Sequence, residues 1–411
     1  LANLMYEREG KVIGSEALNA ALNVLHFKAM RNRQITLYNR VAPDPEGNGI
    51  WLDMADAMNR AYYITKEGWT LETDVPALFK RYSHQKALPE AVRGGDPWKI
   101  LNYVNLGKTP SVKVSENASQ ALEALAKKYR QKKLLFLVDN ISRLFPDMPH
   151  PVSILHGGAG TFKSTMQIFT RGIIDPSSVP TFGMPKDAAT LIQNLEHHYI
   201  PIFDNLSTIP EWMSNILCRA VTGEGQEVRA LYTDDDVVIR EYLRCVNTNG
   251  LNIPAQKGDL LSRGLIYETV PMPDQRRTLE ELNASYEKDR PHILGGYLDA
   301  ASSALKLLGS VTPPKTFRLA DFTKVGYVLA QALGEDPQDF IDAFEDNIEC
   351  QHEEITQSNQ VAKAFLDWCE IYLDQPQEDS PYTATPETVF GDIQDKADGL
   401  KINIKSRTWP K

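Results

Sequence analysis

The sequence predicts an α/β fold: a mostly parallel sheet flanked by helices and built around a phosphate-binding loop. Three observations carry this. A glycine-rich turn, Gly157-Gly158-Ala159-Gly160-Thr161-Phe162-Lys163-Ser164-Thr165, stands between the apolar run Val152-Ser153-Ile154-Leu155 and the apolar-periodic Met166, Ile168 and Phe169. A second apolar run, Tyr199-Ile200-Pro201-Ile202-Phe203, ends in Asp204-Asn205. Strand and helix patterns alternate across residues 150–275, as in parallel sheets whose sites form at the C-terminal ends of the strands.

Residues 1–110 read as a separate α+β domain. Ser15 is placed to cap a helix whose apolar face is Leu18, Ala21, Leu22, Leu25 and Ala29. Strand-like runs follow at Ile35–Tyr38, Ile50–Leu52 and Ala61–Ile64, with the Pro45–Gly49 turn joining the first two. Asp53 and Asp56 read as surface carboxylates. Residues 111–149 read as a helical connector, capped by Ser115, with Leu122, Leu125 and Tyr129 on one face. Its basic run, Lys127 to Lys133, is either a solvated face or a phosphate-contacting patch. Residues 150–275 form the predicted core, and residues 276–375 a packed helical region: Thr278–Leu282, Ala300–Leu308, Asp321–Leu333, Pro337–Ile348 and Gln360–Leu373. In the last segment, 376–411, a linker spanning Asp374–Pro381 gives way to a short helical pattern.

The composition is that of ordinary globular protein. The chain has 411 residues, 42% hydrophobic and 24% charged, enough for two to four domains. No apolar run reaches the length of a membrane span and the first residues carry no signal-peptide pattern, so a cytoplasmic protein is expected. The chain opens at Leu1 rather than Met, as a piece of a longer protein would. Cys218, Cys245, Cys350 and Cys369 form no metal-ligand spacing and read as reduced thiols. His156 and the pair His197-His198 lack a ligand constellation. The net charge of −10 argues against a uniformly basic surface, but not against a local nucleic-acid channel.

The glycine-rich turn carries the chemistry. Backbone N–H groups of such a turn, and of the helix N-terminus after it, bind phosphate. Lys163 supplies a point charge at the β/γ-phosphates and Ser164 a hydroxyl ligand for Mg²⁺. The expected ligands are ATP and Mg²⁺. Where the usual pattern has glycine before the lysine, this chain has Phe162. Either the backbone there does not need positive φ, or the loop is distorted.

Asp204, at a strand end, is the expected metal-side acid beside Ser164. Asn205 follows, which can orient a water by hydrogen bonding but cannot act as a base. Glu211, on the next helix, is an alternative. The strand-like Arg244–Gly250 ends in polar amides suited to sensing a γ-phosphate, with Asn249 favoured and Asn247 second; a plain Asn-Gly turn competes. Arg263 precedes the apolar run Leu265–Tyr267 and is placed to reach a neighbouring subunit's nucleotide, oriented by Asp259. An arginine acting in trans requires a ring or filament.

This order of parts resembles the ATPase core of the AAA+ class, near the superfamily 3 type of viral and plasmid replicative helicases. More specifically, Phe203–Ser207, Pro210–Ser214, Leu217–Gly225 and Arg229–Asp235 resemble the primase-associated ATP-binding proteins of prophages and integrative elements. The likeness is dense over 150–275 and weaker over Ser15–Leu22 and Val92–Gly95. The resemblance implies an ATP-hydrolysing, ring-forming DNA helicase or translocase, hexameric, acting on single-stranded or forked DNA beside a primase or polymerase. It implies that Lys163, Ser164, Asp204 and Asn249 come from one subunit and Arg263 from the next. It also implies a channel hairpin between Asp204 and Asn247, where Arg229 or Arg240 would grip phosphate and Asp234–Asp236 would oppose it. From Tyr382 the tail would begin a winged-helix-like module that carries Trp409-Pro410-Lys411. Lys396, Lys401, Lys405, Arg407 and Lys411 would make it a DNA-binding edge, or merely a solvated tail. Two other classes remain: a non-motor ATPase switch or loader, and a binding module with a degenerate nucleotide site.

Overall fold

The structure, a computed structural model, describes residues 2–31, 35–106, 119–223, 226–229, 237–240, 243–255, 257–271, 278–358, 364–366, 368–369 and 386–399. The chain divides into two units, Leu1–Tyr38 and Asn39–Lys411.

The first unit holds α1 (Ala2–Glu9), α2 (Ser15–Met30) and the short strand β1 (Leu37–Tyr38). In α2 the cap position is Gly14, in extended backbone, and Ser15 is the first helical residue. Leu18 and Ala21 are half-buried, whereas Leu22 and Leu25 are exposed.

The second unit opens with an antiparallel meander, β2 (Val41–Pro43), β3 (Gly49–Asp53), β4 (Ala61–Thr65) and β5 (Gly68–Glu72), paired in that order. The strand before the Pro45–Gly49 turn is therefore Val41–Pro43, not the Ile35–Tyr38 run. Arg40 takes φ 67 and breaks the extended backbone between the two. Asp44 organises the turn, accepting from the Asn48 N–H and from Trp51 Nε1, each at 3.1 Å. Asp53 is not a surface residue: it is 1% exposed and binds the Arg81 guanidinium. Asp56 pairs with Arg60 at 2.6 Å. A short strand β6 (Leu78–Phe79) and a 3₁₀ turn over Pro97–Tyr103 lead on to α3 (Ser119–Ser142).

The parallel sheet is built from β7 (Val152–His156), β8 (Ile202–Phe203), β11 (Asn247–Gly250) and β12 (Gly264–Glu268), in the spatial order β12-β7-β11-β8. Between β8 and β11 the chain forms an antiparallel pair, β9 (Gln226–Arg229) and β10 (Val237–Arg240), with Val237 opposite Arg229. The Asp234–Asp236 run and the side chains of Arg229 and Arg240 lie outside the described residues. Side chains alternate across the sheet. Val152, Ile154 and Ile266 join the apolar cluster of α5 (Ala188–His197), α6 (Glu211–Thr222) and α7 (Gly258–Leu261). Leu155, Leu265 and Tyr267 join the opposite cluster. That second cluster also takes in the meander's Tyr62, Ile64 and Trp69, α4 (Lys163–Ile174) and the long helices. The meander, expected to belong to a domain ending near 110, thus shares its core with the parallel sheet.

Three helices complete this side. α8 (Leu279–Leu307) is continuous where two separate segments are expected, and starts with a capping box between Thr278 and Glu281. α9 (Ala320–Ala332) and α10 (Pro337–Ser358) pack with α3. Leu125 is exposed in α3; its second half, from Leu134 to Val138 and Ile141, is what enters the core. Three side chains of the basic run of α3 are held in ion pairs with the helical region. Lys127 pairs with Asp339, Lys128 with Asp346 and Arg130 with Glu335, at 3.3, 3.2 and 2.7 Å. Of Gln360–Leu373, residues 364–366 and 368–369 are described, and they are helical, as is Pro386–Gly399. Ser115, the Asp374–Pro381 linker, Tyr382–Thr385, the Lys396 side chain, Lys401, Lys405, Arg407 and Trp409-Pro410-Lys411 lie outside the described residues.

One buried charge cluster joins these parts. Asp175, fully buried, accepts from Arg40 Nε at 3.2 Å, from Arg171 Nη2 at 3.4 Å and from the Ile200 N–H at 3.0 Å. Burial raises its pKa, but the two guanidiniums outweigh this and hold the carboxyl below its ordinary range. Asp175→Asn leaves two buried guanidiniums without a countercharge and is expected to cost about 3–5 kcal/mol, read as a fall in the urea midpoint. The depressed pKa means that the carboxylate's contribution is present above the ordinary carboxylate range. It is lost as pH falls through the folded-state value, so the difference between wild type and variant should shrink in acid.

Candidate functional site

The glycine-rich turn leaves the C-terminal end of β7, the strand flanked by β12 and β11. Gly157 takes φ 145, and a Cβ there would lie 2.4 Å from the Thr269 carbonyl oxygen, so only glycine fits. Phe162 is the last residue before α4 and takes φ 61 with ψ 23. The backbone at this position does need positive φ, and a phenylalanine, 41% exposed, adopts it. No side chain caps α4, so the N–H groups of its first turn have no capping partner.

Lys163 folds back over the turn. Its Nζ donates to the carbonyls of Gly157 and Gly158 at 2.8 and 2.9 Å and to Thr161 Oγ1 at 3.2 Å. Burial lowers its pKa, and the Asp204 charge opposes this. Thr161 Oγ1 also meets Thr269 Oγ1 at 2.8 Å, tying the turn to the end of β12. Ser164 Oγ donates to Asp204 Oδ1 at 2.6 Å. The hydroxyl and the carboxylate expected to share a metal are thus brought together from α4 and β8.

Beside them runs a chain of amides. The Asn205 N–H donates to Asn249 Oδ1 at 2.9 Å, Asn249 Nδ2 to Gln167 Oε1 at 2.7 Å, and Gln167 Nε2 to the Thr248 carbonyl at 3.0 Å. Both ends are backbone groups of fixed polarity, so the orientation of each side-chain amide follows. Asn205 itself takes φ 55. A cavity of about 400 Å³ opens here, lined by the loop from Ala159 to Thr165, by Asp204, Asn205 and Asn249, and by Leu251. Gly157 and Gly158, also expected to bind phosphate, do not line it; their carbonyls accept from Lys163 Nζ.

Other expected residues lie elsewhere. Asn247 is at the opposite end of β11, where its Oδ1 accepts from the buried Arg143 at 3.2 Å. Glu211 is exposed and paired with Lys257. Arg263 precedes β12, whose Gly264 is in register with Val152 at the far end of β7. It therefore stands at the other end of the sheet from its own cavity, bound to Asp259. Sequence reasoning missed Gln167 and Thr269. Gln167 had one available signal: it follows Lys163 by about one helical turn, on the face that turns inward. Among the described residues no group of three or more His, Cys, Asp or Glu could hold a metal, and no helix is long and apolar enough to cross a membrane.

Residues 122–349, more than half of the chain, match the family described as Actinomycete integrative conjugative element replication protein, AICE_RepA. The chain belongs to this family of mobile-element replication proteins. The matched span contains the glycine-rich turn, Asp204, Asn249 and Arg263. Among solved structures the chain is similar to the apo NrS-1 C-terminal region in its A form: 12% identity, 83% of this chain and 85% of that one covered, TM-score 0.37. A second structure of that region, residues 305–718, aligns at 12% identity over 85% of this chain and 88% of that one, TM-score 0.36. No curated protein matches.

Two substitutions read out this geometry. Left-handed backbone costs a non-glycine residue roughly 1–2 kcal/mol, part of which glycine's greater chain entropy takes back. Phe162→Gly is therefore expected to raise the unfolding free energy by about 0.5–1 kcal/mol, seen as a higher urea midpoint. Gln167→Leu leaves the Asn249 Nδ2 without its acceptor in the core. It is expected to lower stability by about 1–3 kcal/mol in the same measurement.

Proposed function

We propose that the protein is an ATP-hydrolysing, ring-forming DNA translocase or helicase that serves replication of a mobile element. The observation that carries the ATPase reading is the contact of Ser164 Oγ with Asp204 at 2.6 Å, beside Lys163, on an open cavity of about 400 Å³. A hydroxyl and a carboxylate are the hard oxygen donors that Mg²⁺ takes alongside phosphate oxygens. Bound there, Mg²⁺ would neutralise charge on the β- and γ-phosphates. The turn's N–H groups and the first turn of α4 would cradle the phosphates. Lys163 Nζ would exchange its carbonyl partners for phosphate oxygens. Asn249, its amide set by Gln167, would face the γ-phosphate, and the Asn205 amide would orient the attacking water. The family supports a role in replication; DNA as the track, a primase or polymerase as neighbour and a hexameric ring follow from the resemblance.

A slow nucleotide switch is the second reading. Asn205 supports it, standing where a carboxylate would activate water, as does the left-handed Phe162.

The test is ATP hydrolysis with and without single-stranded DNA, with mass measured in parallel. The motor reading expects DNA-stimulated turnover by an oligomer, falling by on the order of 10²–10³-fold in Lys163→Ala. Nucleotide binding with slow turnover that DNA leaves unchanged would favour the switch. Absence of nucleotide binding would overturn both.

A further inference from the structure

Phe162 carries two costs at one position. Its backbone is left-handed, at φ 61 and ψ 23, where a side chain is strained and glycine is not. It is also a large apolar residue that is 41% exposed, so core packing does not hold it there. Its neighbours fix it from both sides. Thr161 is buried and meets Thr269 Oγ1 at 2.8 Å, and Lys163 is bound to the carbonyls of the turn. Strained backbone of this kind, held by its surroundings, collects where a protein meets a ligand.

Among the described residues that line the cavity of about 400 Å³, Phe162 is the one aromatic. In the ATPase reading the polar lining serves the triphosphate and its metal ion through Lys163, Ser164, Asp204 and Asn249. Of the apolar lining, Leu251 stands at the phosphate end, two residues after Asn249, and its carbonyl accepts from the Gly157 N–H at 3.2 Å. Ala159 offers a single methyl group. The Phe162 ring is then the lining's flat face, and a nucleobase is a flat ring that gains most from such a face. The glycine usual at this place in the turn has none to give. We propose that Phe162 is the nucleobase platform of the cavity, and that the base of a bound nucleoside triphosphate stacks on its ring. Stacking reads no hydrogen-bonding edge, so the site takes triphosphates of any base. This rests on the ATPase reading above and adds to it the residue that meets the base.

The experiment measures binding to the full chain by titration calorimetry in Mg²⁺, with ATP, GTP, CTP, UTP and inorganic tripolyphosphate as probes. Tripolyphosphate offers phosphates without base or ribose. The ratio of ATP to tripolyphosphate affinity therefore isolates what the nucleoside adds and cancels any change in the loop itself. In the wild type the four nucleotides should bind within about tenfold of one another, and ATP about tenfold or more above tripolyphosphate. Phe162→Leu keeps an apolar side chain, on which a ribose can still rest, but removes the aromatic face. Phe162→Gly removes the side chain altogether. In both, the ATP advantage should fall by about tenfold while tripolyphosphate still binds. Phe162→Gly carries the test if Phe162→Leu fails to fold. An ATP advantage unchanged in either variant overturns the platform, as does a wild type that binds ATP no better than tripolyphosphate; both results leave the phosphate cradle standing. A preference for one base of about a hundredfold or more also overturns it, because such a preference needs a group that reads the base edge. A wild-type chain that binds neither ATP nor tripolyphosphate overturns the ATPase reading and the platform with it.

Discussion

The carboxylate of Asp175 ties together the far ends of the two elements that build the cavity. It closes the C-terminal end of α4 through Arg171 and takes the N–H of Ile200 just before β8. The other end of α4 carries Lys163 and Ser164, and β8 runs into Asp204. Because helix and strand are both anchored on one buried group, the Ser164–Asp204 contact is set by rigid elements rather than by loops. Arg40, contributed by the segment that leads into the meander, completes the countercharge. A buried carboxylate with a single guanidinium would be marginal; here two guanidiniums and a backbone N–H meet it.

On that frame, the order β12-β7-β11-β8 does the rest. β7 lies between two partners, so its glycine-rich turn emerges with β11 on one side and β12 on the other. β11 brings Asn249 and, through it, the backbone of Asn205. β12 brings Thr269, which braces the turn at Thr161 and leaves room at Gly157 for no side chain. The amide chain from Asn205 through Asn249 to Gln167 then links β8, β11 and α4. A displacement of any one of the three is felt by the other two.

Charge is distributed by the same folding. The run Lys127 to Arg130 looks like a nucleic-acid patch in sequence, yet it faces Glu335, Asp339 and Asp346 at the start of α10 and along it. Each such exposed pair contributes little to stability, but together they neutralise the run. Lys163 folds over its own turn, and Arg263 and Arg318 meet at Asp259.

The local patterns of this chain were legible in sequence because they depend on neighbours in the chain. Strand, turn and helix at 150–174 follow from hydrophobic period and glycine placement, and Asp204 follows from its place at the end of an apolar run. The β4 strand and the α9 and α10 helices were readable on the same grounds. What depended on distant neighbours was not. Asn247 and Asn249 are two residues apart on one strand, and only the strand's direction in the sheet decides that Asn249 meets the cavity while Asn247 meets Arg143. Asp53 is buried because Arg81 reaches it, and α8 runs through Pro291 because its two ends pack on one core. Arg318 carries no local signature, and its partner lies in another element. The sequence by itself determined which segments form strand, turn and helix, since backbone propensity and side-chain period are short-range. Tertiary structure decided which polar groups meet, since a hydrogen bond or an ion pair needs both partners in place and the chain that separates them says nothing of that distance.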